Sequence, residues 1–167
     1  MKKVVLLVVL LAALAAPVAR ADTVSLLFSL DARTAVVTQS GQGYRLAVPT
    51  ATALVWFSDR PKRLAGHTTL PALVRSWARF GFDKDPPNAA LLLRGRTSGP
   101  ARQHVVELTR PRVRGAIVTF EARELPEGSA AGRRHTHSIR PGTYGRAELF
   151  IDNATATMGC TSSCVIF

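Results

Sequence analysis

The sequence predicts a mainly β protein, a β-sandwich of about eight short strands with one helix inserted near residues 70–80. Three observations lead there. Apolar residues alternate with polar ones at a period of two in most segments. Gly, Pro, Asp and Asn interrupt those segments at short intervals. Only one stretch carries a helical period together with start and stop signals.

Taken in order, Val24, Leu26, Phe28 and Leu30 alternate with Ser25, Leu27 and Ser29, as a strand buried on one face requires. A second strand is expected at 34–38. Gly41-Gln42-Gly43 then turns the chain into Tyr44, Leu46 and Val48, which alternate with Arg45 and Ala47, so these pieces read as a meander. Ala53–Ser58 is apolar on both faces and is predicted to be a central strand, ended by Asp59-Arg60-Pro61.

The helix follows. Thr69 is placed to cap it, Pro71 falls in the first turn where a missing N–H is tolerated, and Gly81 closes it. Leu70, Leu73, Val74 and Trp77 form the stripe expected to be buried, with Arg75 and Arg79 turned outward. Further strands are expected at 89–94, 104–109, 116–123 and 147–152. In the third of these Val118, Phe120 and Ala122 alternate with Thr119, Glu121 and Arg123; in the last, Leu149 and Ile151 oppose Phe150. Residues 125–142, rich in Gly, Ser, Ala, Arg and His, read as a long flexible loop.

Residues 1–21 read as a secretory signal peptide: Lys2 and Lys3, an unbroken apolar run from Val4 to Ala16, Pro17, and Ala19-Arg20-Ala21 before a cleavage point at Asp22. The run is too short for a bilayer core of about 30 Å, which takes about 20 residues, so no transmembrane anchor is expected after cleavage. The predicted location is periplasmic or extracellular. The remaining 146 residues suit a single domain, 22–167, with a Cys-containing tail.

The chain carries +11, of which Lys2, Lys3 and Arg20 supply three, leaving +8 on the mature protein. Nearly all of it is Arg, which grips phosphate and carboxylate groups bidentately, although a GC-rich genome produces the same bias. An anionic envelope polymer or lipid surface is the expected partner. Nucleic acid is not expected, because the aromatic residues do not interleave with the arginines as a stacking groove requires.

Several segments resemble a group of small secreted bacterial proteins with no assigned function. They are Trp56-Phe57-Ser58-Asp59-Arg60-Pro61, Ala65-Gly66-His67, Asp85-Pro86-Pro87-Asn88-Ala89-Ala90, Val105-Val106-Glu107-Leu108 with Pro111, and Gly145-Arg146-Ala147-Glu148-Leu149-Phe150-Ile151-Asp152. The resemblance spans most of the mature chain, leaves out the cysteine tail, and implies no catalytic residues.

Cys160 and Cys164, an even count in an exported protein, predict a disulfide. Closing so short a loop stabilises by about 2 kcal/mol at most. The alternative is an envelope copper-binding protein using Cys160, Cys164 and Met158 with His135 and His137, soft ligands suited to copper(I). Asp59, Asp83, Asp85 and Asn88 are hard oxygen ligands, so calcium is a weaker alternative to ordinary turn chemistry. No resident cofactor is expected. The candidate ligand-binding residues are Asp59, Arg60, His67, Asp83, Asp85, Asn88, Arg133, Arg134 and Arg140. His67 and His104 stand isolated in sequence, and no nucleophile elbow, zinc-protease helix, phosphate-binding glycine loop or dinucleotide fingerprint occurs. The function that follows is a non-enzymatic envelope or extracellular binding domain for an anionic ligand or surface.

Overall fold

Alternation in the sequence becomes strand after strand in the computed structural model, which describes residues 22–58, 63–96, 100–126, 138–160 and 164–166, with side chains from 24 to 152. The strands are β1 (Asp22–Ala32), β2 (Ala35–Ser40), β3 (Gly43–Pro49), β4 (Ala53–Ser58), β5 (Leu64–Thr69), β6 (Asn88–Arg94), β7 (Arg102–Arg114), β8 (Ile117–Glu124), β9 (Gly142–Tyr144), β10 (Arg146–Cys160) and β11 (Cys164–Ile166). They form one antiparallel sheet in the order β5-β4-β1-β10-β6-β7-β8-β3-β2-β9, with β11 on β10. The fold is mainly β, with the helix where it was expected.

A sheet this long with one face buried must fold onto itself, and the register shows how. Ala32 lies opposite Ala147 in β1–β10, and Ala35 opposite Tyr144 in β2–β9, so a single register runs unbroken through the bend. The hairpin of β2 with β3 likewise continues into β1 with β4, one residue out of step: Val36 faces Ala47 and Leu30 faces Leu54. Three long bent strands, β1–β2, β3–β4 and β9–β10, therefore cross from one layer to the other. Pairing of β10 with β6, β6 with β7, β7 with β8 and β8 with β3 completes the circuit. The result is a sandwich whose layers are joined along both edges.

The inward side chains of both layers make one core. Leu26, Phe28 and Leu30 of β1, Leu149 and Ile151 of β10, Leu91 and Leu93 of β6, Val106 and Leu108 of β7, and Val118 and Phe120 of β8 are all nearly inaccessible. The helical segment plugs the space between the layers. Helix α1 (Leu70–Arg75) starts at Thr69, whose hydroxyl accepts a hydrogen bond from the Ala72 N–H at 3.3 Å. It is shorter than predicted. After Ser76 the chain tightens into a 3-10 turn at Ala78–Phe80, and Gly81, at φ 77°, reverses it so that Phe82 returns onto Trp77 with ring centroids 4.8 Å apart. Trp77 also meets Phe120 of one layer at 5.9 Å, and Phe80 meets Phe28 of the other at 5.4 Å.

The structure departs from the expectations at three further points. The Ala53–Ser58 strand lies one position from the sheet edge, with Leu54, Trp56 and Ser58 buried but Val55 and Phe57 exposed on the outer face. Two-sided apolarity there reflects an uncovered outer surface. Its neighbour β5 has no counterpart among the predicted strands, because Ala65-Gly66-His67 has weak alternation. Gly66 is required at that point: a Cβ would lie 2.6 Å from the Trp56 ring, which packs flat against it. In the predicted loop at 125–142, residues 127–137 lie outside the described residues, and Gly142 already begins β9.

Candidate functional site

The outer face of β7, β8 and β3 gathers Arg45, Arg110, Arg112, Arg114 and Glu121 around one cavity, and a bulge in β7 turns the β7 arginines onto it. Glu107 and Thr109 lie opposite Arg123 and Glu121, outward-facing residues of β8. The pairing then slips, so that Arg110 and Pro111 together oppose Phe120 and Arg112 faces Thr119. Uninterrupted alternation would have sent Pro111 and Val113 outward and turned Arg112 and Arg114 toward the core. The extra residue instead sets Arg112 opposite Thr119 and Arg114 opposite Ile117 on the outer face, while Val113 comes opposite the buried Val118 and stays 41% exposed itself. Arg110 takes φ 49°, a conformation disfavoured for a residue with a side chain, and Pro111 has no N–H to leave unpaired.

Arg110, Arg112 and Arg114 thereby line a cavity of about 310 Å³ with Arg45, Thr119 and Glu121. Four guanidinium groups face one carboxylate, a formal +3. Glu121 is committed to Arg45: its Oε1 accepts from Arg45 Nε at 2.9 Å and Nη2 at 2.7 Å. Burial pushes the Glu121 carboxyl up, but hydrogen bonds from Ser40 and Arg45 and the charges of Arg45 and Arg110 outweigh it and hold the group below its usual value. It is ionised at neutral pH. Among the described residues, Arg110, Arg112 and Arg114 enter no ion pair and no side-chain hydrogen bond.

A second cavity of about 520 Å³ adjoins the first, sharing Arg45, Arg110 and Glu121 and reaching the Gly41-Gln42 turn. At its far side Arg123 donates to Glu107, Nη2 to Oε2 at 2.9 Å. Comparison with family models, with curated proteins and with solved structures returns no match. What the site does has to be read from its own geometry.

Of the residues singled out in the sequence, Asp59, Arg60, Arg133, Arg134, His135 and His137 lie outside the described residues, and Met158, Cys160 and Cys164 are described in backbone only. His67 is exposed on the edge strand β5, opposite Val55. Asn88 opens β6 opposite Glu107, beside the second cavity. With β4, β1 and β10 between them, β5 and β6 are about 19 Å apart at the usual strand spacing, so His67 and Asn88 do not share a site. Asp83 and Asp85 are exposed in the turn after the 3-10 segment, where the Asp85 N–H donates to the Gly81 carbonyl at 2.9 Å. The exposed Arg140 offers its carbonyl to the Tyr144 hydroxyl at 2.6 Å. Among the described residues no group of three His, Cys, Asp or Glu is placed to hold a metal ion.

His104 is buried, and its Nδ1 lies 2.8 Å from Glu124 Oε1, while Glu124 Oε2 accepts from the Ile139 N–H at 3.3 Å. This arrangement pins the buried Ile139, and hence the approach to β9, against the end of β8. On the opposite outer face Arg146 holds Asp31 through two hydrogen bonds, from Nε at 2.8 Å and from Nη2. The bond from Arg146, opposed by slight desolvation and helped by the charges of Arg146 and Arg33, lowers the Asp31 pKa.

The arginines lining the first cavity are absent from the residues chosen in the sequence. Their signal is the string Arg110-Pro111-Arg112-Val113-Arg114, whose period of two suits one face of a strand.

Proposed function

We propose that the protein is an exported, non-enzymatic binding domain for an anionic ligand of the cell envelope or extracellular space, with Arg45, Arg110, Arg112 and Arg114 as its site. The observation that carries this reading is the set of three unpaired guanidinium groups that a strand bulge turns onto one concave face beside a single carboxylate. The signal-like residues 1–21 and the resemblance to small secreted bacterial proteins support export. The outward arginines also oppose a membrane barrel, which needs apolar side chains on the outside and polar ones within. Among the described residues no helix is long and apolar enough to cross a membrane.

Titration with heparin and with anionic vesicles tests the reading. If three unpaired arginines are engaged, raising salt from about 50 to 200 mM weakens binding by roughly 20- to 40-fold, by analogy with counterion release from other polyanions. A variant carrying Arg110→Gln, Arg112→Gln and Arg114→Gln loses that binding, whereas Arg75→Gln with Arg79→Gln keeps it. Salt-independent binding, no binding, or full binding by the triple variant defeats the proposal.

A disulfide between Cys160 and Cys164 belongs to the same reading. The two are direct partners across β10 and β11. Opposed residues of antiparallel strands have Cα atoms about 4.5–5.5 Å apart, within the range a disulfide spans. Met158 pairs with Ile166, two residues further along the hairpin. Mass spectrometry of the purified protein separates the alternatives: a two-proton deficit without metal supports the bridge, and reduced thiols with stoichiometric copper support metal binding.

A further inference from the structure

Resting on that anion site, we infer that the ligand is a linear acidic polysaccharide lying along β8. The two cavities are one trough, since Arg45, Arg110 and Glu121 line both. It runs from the Arg114–Ile117 pair to the Glu107–Arg123 pair. Six residues of extended strand separate Ile117 from Arg123, so the trough is about 20 Å long. Arginines occur at four successive levels along it, those of Arg114, Arg112, Arg45 and Arg123, stepped by about 7 Å, the repeat of alternate residues in a strand, with Arg110 at the bulge between the levels of Arg112 and Arg45.

A compact oxyanion uses donors that converge on one buried point. Here the donors are strung out and open to solvent: the Arg45 side chain is 51% exposed and that of Arg123 64%. Between the charges, Ser40, Gln42, Thr109 and Thr119 supply neutral hydrogen-bonding groups of the kind sugar hydroxyls meet. Among the described residues the only aromatic one lining the trough is Tyr44, which is half-buried against the core and offers no platform for stacked bases. A chain with anionic groups recurring every one or two sugar rings matches this arrangement.

Size-fractionated heparin fragments, from disaccharide to dodecasaccharide, test the length of the site at low and moderate salt. Affinity is expected to rise with fragment length and level off once the fragment spans the trough, and its salt dependence to steepen in step. Arg114→Gln at one end and Arg123→Gln at the other each weaken the longest fragment by about threefold or more, comparable to an exposed charge contact, and leave the disaccharide nearly unchanged. Unaltered melting temperatures show that both variants fold. A disaccharide that binds as tightly as the dodecasaccharide overturns the extended site while leaving the anion site standing. Capture by anionic vesicles with no binding of soluble fragments also overturns it, in favour of a lipid surface. If neither heparin fragments nor vesicles bind, the anion site itself fails.

Discussion

Replacing Glu121 by Gln should tighten anion binding, because Glu121 is the one negative charge among the described residues lining the first cavity and a ligand must approach it. For an oxyanion taken at about 6 Å from the carboxylate, Coulomb's law sets the size of the effect. With an effective dielectric constant between about 40 and 80, as an open site implies, the repulsion is about 0.7–1.4 kcal/mol, or roughly threefold to tenfold in affinity. Gln keeps the shape and still accepts a hydrogen bond from Arg45, so geometry changes little. The Arg45–Glu121 pair is half-exposed on its Arg side, and its loss should lower stability by less than about 1 kcal/mol. Fluorescence anisotropy with a labelled heparin fragment measures the first effect and urea denaturation the second. The wild-type protein should show the same tightening as pH falls below 4.5 through the lowered pKa of Glu121, since sulfate groups stay ionised there. Unchanged or weaker binding by Glu121→Gln would mean that the ligand does not share the cavity with this carboxylate, or that Glu121 serves chiefly to position Arg45.

Arg110→Gly should raise stability by about 0.5–1 kcal/mol, by relieving the positive φ, while weakening heparin binding; equal stability in urea would show the bulge to be unstrained. Gly66→Val should destabilise by about 1–3 kcal/mol, because its Cβ collides with the Trp56 ring, and an unchanged urea midpoint would contradict that contact. Trp77→Ala should remove about 3–5 kcal/mol, since its ring ties Phe82 to Phe120 across the core. The Asp31 pKa is lower in the folded than in the unfolded chain, so its contribution is fully present above the unfolded value near 3.8 and is lost as pH falls through the folded value. Asp31→Asn should therefore reduce the acid dependence of stability below about pH 4, and identical acid titrations of the two proteins would remove Asp31 from that account.

Most of the strands were legible because each is buried on one face, and a period of two survives in Val24 to Leu30, in Val118 to Ala122 and in Leu149 to Ile151. The helix start was legible from Thr69 and Pro71, which act locally. Its end was not. Trp77, Phe80 and Phe82 must all reach the core, and that tertiary demand tightens the chain after Ser76, well before the Gly81 stop. Strand β5 was hidden for a related reason: Gly66 contributes nothing to alternation, yet it is fixed by an indole from the neighbouring strand. The outer face of β4 misled in the opposite direction. Val55 and Phe57 read as buried, but burial is set by what lies above the sheet, and sequence pattern alone does not contain it.

The site was hidden by register. Period-two reading of β7 from His104, Val106 and Leu108, all inward, carries forward to place Arg110, Arg112 and Arg114 inward as well, which no core would tolerate. That contradiction is itself informative. A strand that must keep Val106 and Leu108 buried and still expose Arg112 and Arg114 has to gain or lose a residue between them. Pro111, which cannot donate to a ladder, marks where this is least disruptive. Arg45 and Glu121 then fall into place across β3 and β8, where they face each other directly. The isolated residues that attracted attention in the sequence, His67 and the acidic turn at Asp83 and Asp85, answer to local geometry. Charge became a site where alternation failed.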